Sequence, residues 1–308
     1  MTNMKAVRIH QYGGPEVLQY EDAPRPQPGA GEVLIRVHAT SVNPIDWKIR
    51  AGYLKDWMPL GFPAVLGRDV SGVVEEVGPG ITGLKPGDAV YGLINGAYAQ
   101  YAVAKESDVA MKPRSLDHAH AAAIPLAALT AWQALFDKGR LAGRQTVLIH
   151  AAAGGVGSFA VQLAKSKGAR VVGTASGKNQ GLLRELGVDQ PIDYEKTRFE
   201  EVARDVDAVF DTIGGDTQQR SWKVLKRGGV LLSVAAPPSA DEARRAGVRA
   251  EFVMTQPDAA ALAQIAGLVD AGIVKPVVQA TMRLADVRRA HEASQSGHVR
   301  GKLVLAVD

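Results

Sequence analysis

The 308-residue chain contains no cysteine. This absence excludes disulfide bonds, thiolate nucleophiles and every zinc or iron–sulfur site that is built on cysteine. A strong excess of one charge is also missing, because 36 basic and 32 acidic side chains leave a formal net charge of only +4. The charges alternate along the chain, and no run of like charge could neutralise several phosphates. Nucleic-acid binding is therefore not expected.

Long apolar runs are absent as well. The most apolar window, residues 119–135, is broken by His120, Pro125, Thr130 and Gln133, so we expect no membrane span. The N-terminal segment carries basic side chains and lacks the apolar core of a signal peptide. These features predict a cytoplasmic protein that has no membrane or nucleic-acid partner.

Roughly the first third of the chain favours short β-strands. Runs rich in β-branched residues are separated by turns rich in glycine and proline, which is typical of a β-barrel or a sandwich. The predicted strands in this part are residues 5–10, 32–39 and 70–77.

The middle of the chain alternates predicted strands with predicted helices. A buried-type strand at 147–150 leads through a glycine-rich turn into a helix at 159–167. Such alternation requires crossover connections and favours a parallel, doubly wound sheet. The remaining predicted elements are strands at 170–173, 191–194, 208–211, 230–234 and 302–307, a helix at 182–186, and a helix that ends at 222–225.

The glycine-rich turn has the sequence AAAGGVG, residues 151–157. Gly154 would let the backbone approach a pyrophosphate, and Gly157 would let the helix pack close to the strand. The N-terminus of the following helix would offer free N–H groups and the positive end of its dipole. Because the turn lies inside a strand–turn–helix–strand unit, it predicts a dinucleotide site.

The end of the second strand indicates which dinucleotide is bound. An NAD site usually places an acidic residue there, roughly 20 residues after the glycines, to hold the ribose hydroxyl. None is present, and the first acidic residue afterwards is Glu185. Ser176 and Lys178 offer a hydroxyl and a cation that suit a 2′-phosphate. These residues predict NADPH, the alternative being that Lys178 is only a solvated surface lysine.

Several motifs in fixed order resemble one known family along nearly the whole chain. They are SVNPIDWK at 41–48, GRDVSG at 67–72, PGD at 86–88, LTAW at 129–132, the AAAGGVG turn, and GKLVL at 301–305. The chain resembles the medium-chain dehydrogenase/reductase superfamily, in its zinc-independent quinone oxidoreductase and enone reductase branch.

The resemblance implies an α/β protein with two domains. A GroES-like β-barrel catalytic domain would span 1–123 and be completed by 258–308, and a doubly wound, parallel-sheet Rossmann domain would span 124–257. The implied reaction is NADPH-dependent transfer of a hydride to a quinone or an α,β-unsaturated carbonyl compound. A homodimer is expected by analogy only.

Two positions depart from the zinc branch of the superfamily. Where that branch places a cysteine and a histidine as metal ligands, this chain has Asn43 and Arg68. A neutral amide is a poor zinc ligand, and a guanidinium has no lone pair to donate. We therefore expect the protein to work without a metal.

Four residues are the candidate catalytic groups: Asn43, Asp46, Lys48 and Tyr53. Asn43, Lys48 or Tyr53 could donate a hydrogen bond to the negative charge that develops on the acceptor oxygen. Asp46 could equally serve only to brace the loop. The resemblance further implies a set of coenzyme-binding residues, namely Asn43, Thr130, Gly154, Gly155, Val156, Ser176, Lys178, Tyr194, Ile213, Val234, Ala235 and Ala236.

Two other functions stay open at this point. One is the reduction of another activated double bond, such as that of an enoyl thioester. The other is a non-catalytic NADPH-binding protein with a structural, sensory or RNA-binding role. Turnover of an acceptor would separate the enzymes from the second alternative.

Overall fold

The computed structural model describes residues 2–308, which divide into two compact units. The first unit comprises the chain up to Leu126 together with Gln256–Gly272 and Pro276–Asp308. The second unit comprises Ala127–Thr255 and Ile273–Lys275. Among the described residues, no helix is both long and apolar enough to cross a membrane.

The strands are numbered in chain order. They are β1 (Asn3–Ile9), β2 (Gln19–Pro24), β3 (Glu32–Val42), β4 (Ala64–Val65), β5 (Asp69–Val77), β6 (Ala89–Leu93), β7 (Tyr101–Lys105), β8 (Val109–Met111), β9 (Thr146–Ile149), β10 (Arg170–Ala175), β11 (Gln190–Asp193), β12 (Val206–Asp211), β13 (Leu225–Ser233), β14 (Arg249–Phe252), β15 (Val278–Arg283) and β16 (Lys302–Ala306).

The α-helices are numbered in the same way. They are α1 (Pro44–Arg50), α2 (His118–Ala122), α3 (Pro125–Trp132), α4 (Gly155–Ser166), α5 (Gln180–Glu185), α6 (Phe199–Val202), α7 (Gly215–Ser221), α8 (Ala240–Ala246), α9 (Ala259–Asp270) and α10 (Val287–Gln295). Short 3-10 turns lie at Pro15–Val17, Glu106–Asp108, Gly177–Asn179 and Leu284–Asp286, and a π-helical segment at Gln133–Lys138 follows α3.

The first unit is built around a seven-stranded sheet in the order β15-β16-β3-β5-β6-β8, with β7 also paired to β3. Strand β3 is the longest, and its apolar side chains are buried together with those of its neighbours. The pairing of β16 with β3 places Leu303 opposite Val42, and the pairing of β3 with β5 places Ala39 opposite Ser71. The end of β3 and the starts of β5 and β16 therefore lie side by side.

The second unit is a parallel sheet in the order β11-β10-β9-β12-β13-β14. This is the strand order 3-2-1-4-5-6 of dinucleotide-binding folds, with the order reversing at the first strand. The predicted α/β class with a doubly wound sheet is confirmed. In such sheets ligands bind outside the carboxyl ends of the strands, next to the reversal.

One predicted helix boundary is wrong. The sequence pattern predicts a helix that ends at 222–225, but α7 ends at Ser221 and β13 begins at Leu225. The apolar spacing of Trp222 and Leu225 is the same in a tight turn as in a helix, so periodicity could not separate the two. The Trp222 side chain is buried in the core of the unit, which explains its apolar character.

Candidate active site and coenzyme site

The predicted coenzyme residues of the second unit collect at one edge of its sheet. Each segment follows the carboxyl end of a strand within a few residues: 154–156 after β9, Ser176 and Lys178 after β10, Tyr194 after β11, Ile213 after β12, and 234–236 after β13. These five strands are neighbours in the sheet. The parallel order therefore gathers segments that lie up to about 80 residues apart in sequence at one ligand-binding edge.

The turn between β9 and α4 is shaped by close backbone contacts. A Cβ atom at Gly157 would lie 2.2 Å from the carbonyl oxygen of Ala151, so only glycine allows this approach. Gly154 is the N-cap of α4, and no acidic residue occupies the first turn of the helix. The first turn of this 12-residue helix therefore supplies no anion of its own to the free N–H groups. Such an N-terminus fits a pyrophosphate.

The loop after β10 carries the predicted 2′-phosphate residues. Ser176 is buried, and its hydroxyl oxygen accepts from Asn179 Nδ2 at 3.1 Å, whereas Lys178 is exposed. Tyr194, at the end of the neighbouring strand, is 54% exposed and so available to a ligand. The structure also shows what the sequence pattern missed: an acidic residue does reach this loop, from the next strand, because Glu195 Oε2 accepts from the Gly177 N–H at 3.1 Å.

Asp211 fixes the two loops that we predict to lie against the nicotinamide. One of its oxygens accepts from the N–H groups of Ile213 and Gly214 at 3.0 and 2.8 Å. The other accepts from Gln218 Nε2 at 2.9 Å and from Ser233 Oγ at 3.0 Å. Ser233 Oγ also accepts from the N–H groups of residues 235 and 236. One buried carboxylate thus holds the loops after both β12 and β13.

Thr130 is the predicted coenzyme residue that lies on a helix of the second unit. It is 5% exposed, and its hydroxyl oxygen lies 2.6 Å from that of Thr255. Its hydroxyl group is therefore already held by a side chain of the same unit.

Asn43 follows β3 directly and is held at both ends of its amide. Its Nδ2 donates to Asp69 Oδ2 at 2.7 Å, and its Oδ1 accepts from Lys302 Nζ. Lysine can only donate and an ionised carboxylate can only accept, so the orientation of the amide is fixed. The second hydrogen on Nδ2 has no acceptor among residues 2–308. Asn43 is 3% exposed and keeps one N–H without a protein partner among these residues.

Lys302 and Asp69 form a buried ion pair behind this amide. The side chains are 4% and 0% exposed, and Lys302 Nζ lies 3.3 Å from Asp69 Oδ2. Lys302 also donates to the Val42 carbonyl at 3.2 Å, and Asp69 accepts from Ser41 Oγ and from the N–H of Leu126. Sequence reasoning missed both residues as members of the site. The available signal was a lysine and an aspartate placed inside apolar strands, where charged residues are rare unless paired.

Asp46 braces the backbone of Asn43. Its Oδ2 accepts from the Asn43 N–H at 2.8 Å and from the Tyr98 hydroxyl at 2.9 Å, while Oδ1 has no partner among the described residues. Burial raises the pKa of the carboxyl from its ordinary 3.8 to about 6. The geometry shows a carboxylate that caps α1 from within the core, 1% exposed.

A chain of buried polar groups extends from Asp46 into the unit. Tyr98 OH lies 3.3 Å from His291 Nε2, and His291 Nδ1 lies 3.2 Å from a guanidinium nitrogen of Arg50. Burial, followed by the nearby Arg50 charge, lowers the pKa of His291 to about 3. The histidine is therefore neutral at pH 7. This series of polar contacts connects α1, which begins beside Asn43, to α10.

Lys48 and Tyr53 lie on the more exposed side of the same segment. Lys48 Nζ is 5.8 Å from the centre of the Trp47 ring, and the Tyr53 ring meets Trp47 edge-on at 6.0 Å. Tyr53 is 73% exposed, so its hydroxyl is accessible to solvent or to a ligand. The structure thus separates the four candidates into a braced pair, Asn43 and Asp46, and an accessible pair, Lys48 and Tyr53.

The described residues contain no group of three or more histidine, cysteine, aspartate or glutamate side chains that could hold a metal ion. At the two ligand positions of the zinc branch, Asn43 donates to a carboxylate and Arg68 is a cation. This donor set does not fit a zinc ion.

The two units define a class of two-domain proteins, in which a β-rich unit accompanies a dinucleotide-binding sheet. Residues 29–114 match the family described as alcohol dehydrogenase GroES-like domain, and residues 186–305 match the family described as zinc-binding dehydrogenase. The NAD(P)H oxidoreductase RTN4IP1, mitochondrial, of Danio rerio is 34% identical to this chain over an alignment 357 residues long. The alignment covers 99% of this chain and 92% of the relative.

A second relative and a solved structure agree with this class. The 2-methylene-furan-3-one reductase of Solanum lycopersicum is 36% identical over 323 residues, covering 99% of this chain and 79% of the relative. The quinone oxidoreductase structure from Coxiella burnetii has a TM-score of 0.91 at 37% identity and covers 100% of both chains. The chain therefore belongs to the medium-chain dehydrogenase/reductase superfamily, in its quinone oxidoreductase branch.

Proposed function

We propose that this protein is an NADPH-dependent oxidoreductase that reduces a quinone or an α,β-unsaturated carbonyl compound without a metal ion. The observation that carries the proposal is the carboxyl edge of the six-stranded sheet, where an acid-free helix N-terminus lies beside Ser176 and Lys178. The names of the relatives support a nicotinamide coenzyme and both acceptor classes. When bound, the coenzyme supplies the hydride.

Residues of the first unit would stabilise the negative charge that develops on the acceptor oxygen. Reduction of a conjugated carbonyl group places negative charge on its oxygen, and a fixed donor lowers the energy of that state. Asn43 has one amide hydrogen left for this purpose, because Lys302 and Asp69 hold the rest of the amide. Lys48 and Tyr53 are the accessible second donors. Water can protonate the product, so no further acid is required.

The preference for NADPH rests on the loop after β10. The Ser176 hydroxyl accepts one hydrogen bond, and its own hydrogen has no acceptor among residues 2–308. Lys178 is exposed and forms no ion pair within the same residues. Both groups can donate to a 2′-phosphate, and bonds to charged groups are the stronger ones.

A screen of NADPH oxidation tests the proposal. Quinones, short and long enones, and enoyl thioesters are compared by kcat/KM, before and after dialysis against a strong chelator. We expect turnover of quinones or enones that survives the chelator. Preference for enoyl thioesters would assign the enzyme to that reaction instead, and saturable NADPH binding without any turnover would contradict the proposal.

A cytoplasmic location and a homodimer stay predictions. The zebrafish relative is named as a mitochondrial protein, so the location needs its own measurement by cell fractionation. Sedimentation analysis of the purified protein measures the oligomeric state.

A further inference from the structure

Two carboxylates lie against the loop that we assign to the 2′-phosphate. Glu195 Oε2 accepts from the Gly177 N–H at 3.1 Å, and Asp193 Oδ1 accepts from the Glu195 N–H at 3.1 Å. A Cβ atom at Gly177 would lie 2.9 Å from Asp193 Oδ2 and 3.5 Å from Glu195 Oε2. Both acids come from the end of β11, the strand next to β10. The backbone of this loop is therefore already bonded to an anion.

The same loop carries two donors. Ser176 has a hydroxyl hydrogen without an acceptor, and Lys178 has no ion-pair partner, among residues 2–308. The Gly177 N–H, which lies between them in sequence, is the donor that Glu195 occupies. A phosphate that binds Ser176 and Lys178 would thus lie close to the Glu195 carboxylate.

We propose that Glu195 is a specificity-determining residue that competes with the 2′-phosphate and limits the preference for NADPH over NADH. The proposal rests on the function proposed above, because it needs a nicotinamide dinucleotide at this edge. NADH has no 2′-phosphate, so Glu195 can keep its bond to Gly177 when NADH binds. NADPH must approach against a like charge, or displace it.

The expected size of the effect on NADPH binding follows from the exposure of Glu195. A phosphate monoester carries about −1.5 to −2 charges near pH 7, so it is repelled by a neighbouring carboxylate. Glu195 is exposed, and interactions between exposed charges are weak and screened by salt. We therefore expect the carboxylate to weaken NADPH binding by about 3- to 10-fold at low salt, and by less at high salt.

Three variants separate charge from geometry. Glu195→Gln removes the charge but keeps an oxygen that can accept from Gly177, whereas Glu195→Ala removes both. Glu201→Gln is the matched control, because Glu201 is an exposed glutamate of the same unit that forms no ion pair among residues 2–308. The dissociation constants of NADPH and NADH are measured by fluorescence titration without an acceptor, at low and high salt.

We expect Glu195→Gln to tighten NADPH binding by about 3- to 10-fold at low salt, with NADH unchanged and Glu201→Gln like the wild type. The proposal is overturned if Glu195→Gln behaves like the wild type while Glu195→Ala weakens both coenzymes, since Glu195 then only shapes the loop. A wild-type protein that binds neither coenzyme would instead overturn the proposed function. Binding of both coenzymes with an unchanged ratio in Glu195→Gln would overturn this inference alone.

Discussion

Replacing Asp46 by asparagine measures how much a buried carboxylate beside the candidate catalytic amide of Asn43 lowers the free energy of unfolding. Burial raises the pKa of Asp46 from its ordinary 3.8 to about 6. The Asp69 carboxylate raises it as well, whereas the bonds from the Asn43 N–H and the Tyr98 hydroxyl lower it. A displacement of this size corresponds to about 3 kcal/mol, at about 1.4 kcal/mol for each pKa unit.

The direction follows from proton binding. Between about pH 4 and about pH 6, the folded protein holds the Asp46 proton more tightly than the unfolded chain does. The free energy of unfolding therefore falls as the pH rises through this window, by about 3 kcal/mol for this group. Asp46→Asn keeps an oxygen that can accept both hydrogen bonds but cannot ionise. The stability of the variant relative to the wild type should thus increase by about 3 kcal/mol between about pH 4 and pH 7.

Denaturant unfolding of both proteins across this pH range is the assay. Other titrating groups are shared, so their contributions cancel in the difference. Tyr98→Phe is the matched variant, because it removes one donor to the carboxylate and leaves the carboxylate in place; its fall in stability should extend to higher pH. A difference between Asp46→Asn and the wild type that stays constant with pH would refute the reasoning, because Asp46 would then not change its protonation on folding in this window.

The other variants test the reacting groups and the coenzyme loop. Asn43→Leu and Lys48→Met should each lower kcat by roughly 100- to 1000-fold if the residue stabilises the acceptor oxygen, with little loss of NADPH affinity. Steady-state kinetics and coenzyme titration check this, and an unchanged kcat in both would contradict the assigned roles. Lys302→Met should lower the free energy of unfolding by about 3–5 kcal/mol, measured by denaturant unfolding, because it leaves a buried carboxylate without its cation. Lys178→Ala should lower the ratio of kcat/KM for NADPH to that for NADH by about 10-fold, and Ser176→Asp should lower it further because it adds an anion. If neither variant moves the ratio, the phosphate is bound elsewhere.

The sequence predicts the site residues that lie close to a strand or turn in sequence. It does not predict the contacts that depend on which strands pair. The AAAGGVG turn and the residues after each strand can be assigned because each follows its strand directly. Lys302 could not be assigned, because its contact with Asn43 joins residues 259 apart. That contact exists only through the pairing of β16 with β3, and hydrophobic periodicity does not identify strand partners. The link between Tyr98 and His291 likewise joins residues that are 193 apart in sequence.

The acidic residue at the coenzyme loop is a second feature that the sequence pattern did not predict. The sequence pattern of NAD sites usually places the acidic residue at the end of the strand that precedes the loop. In a parallel sheet the neighbouring strand ends at the same edge, so its following residues also reach the loop. Glu195 comes 18 residues after Gly177 and contacts it through this arrangement. A prediction of coenzyme preference from sequence must therefore consider the ends of both strands.

The two sets of contacts around Asn43 have different consequences for chemistry. Asp46 accepts from the backbone N–H of Asn43 and so positions its backbone. Lys302 and Asp69 instead bond to the side-chain amide of Asn43. The cation on the amide oxygen draws electron density away from the nitrogen, whereas the Asp69 carboxylate, which accepts the other N–H, pushes density towards it, so their effects on the remaining N–H oppose each other. Lys302 would act on the proposed reaction through Asn43, as a positioning residue that fixes the orientation of the amide.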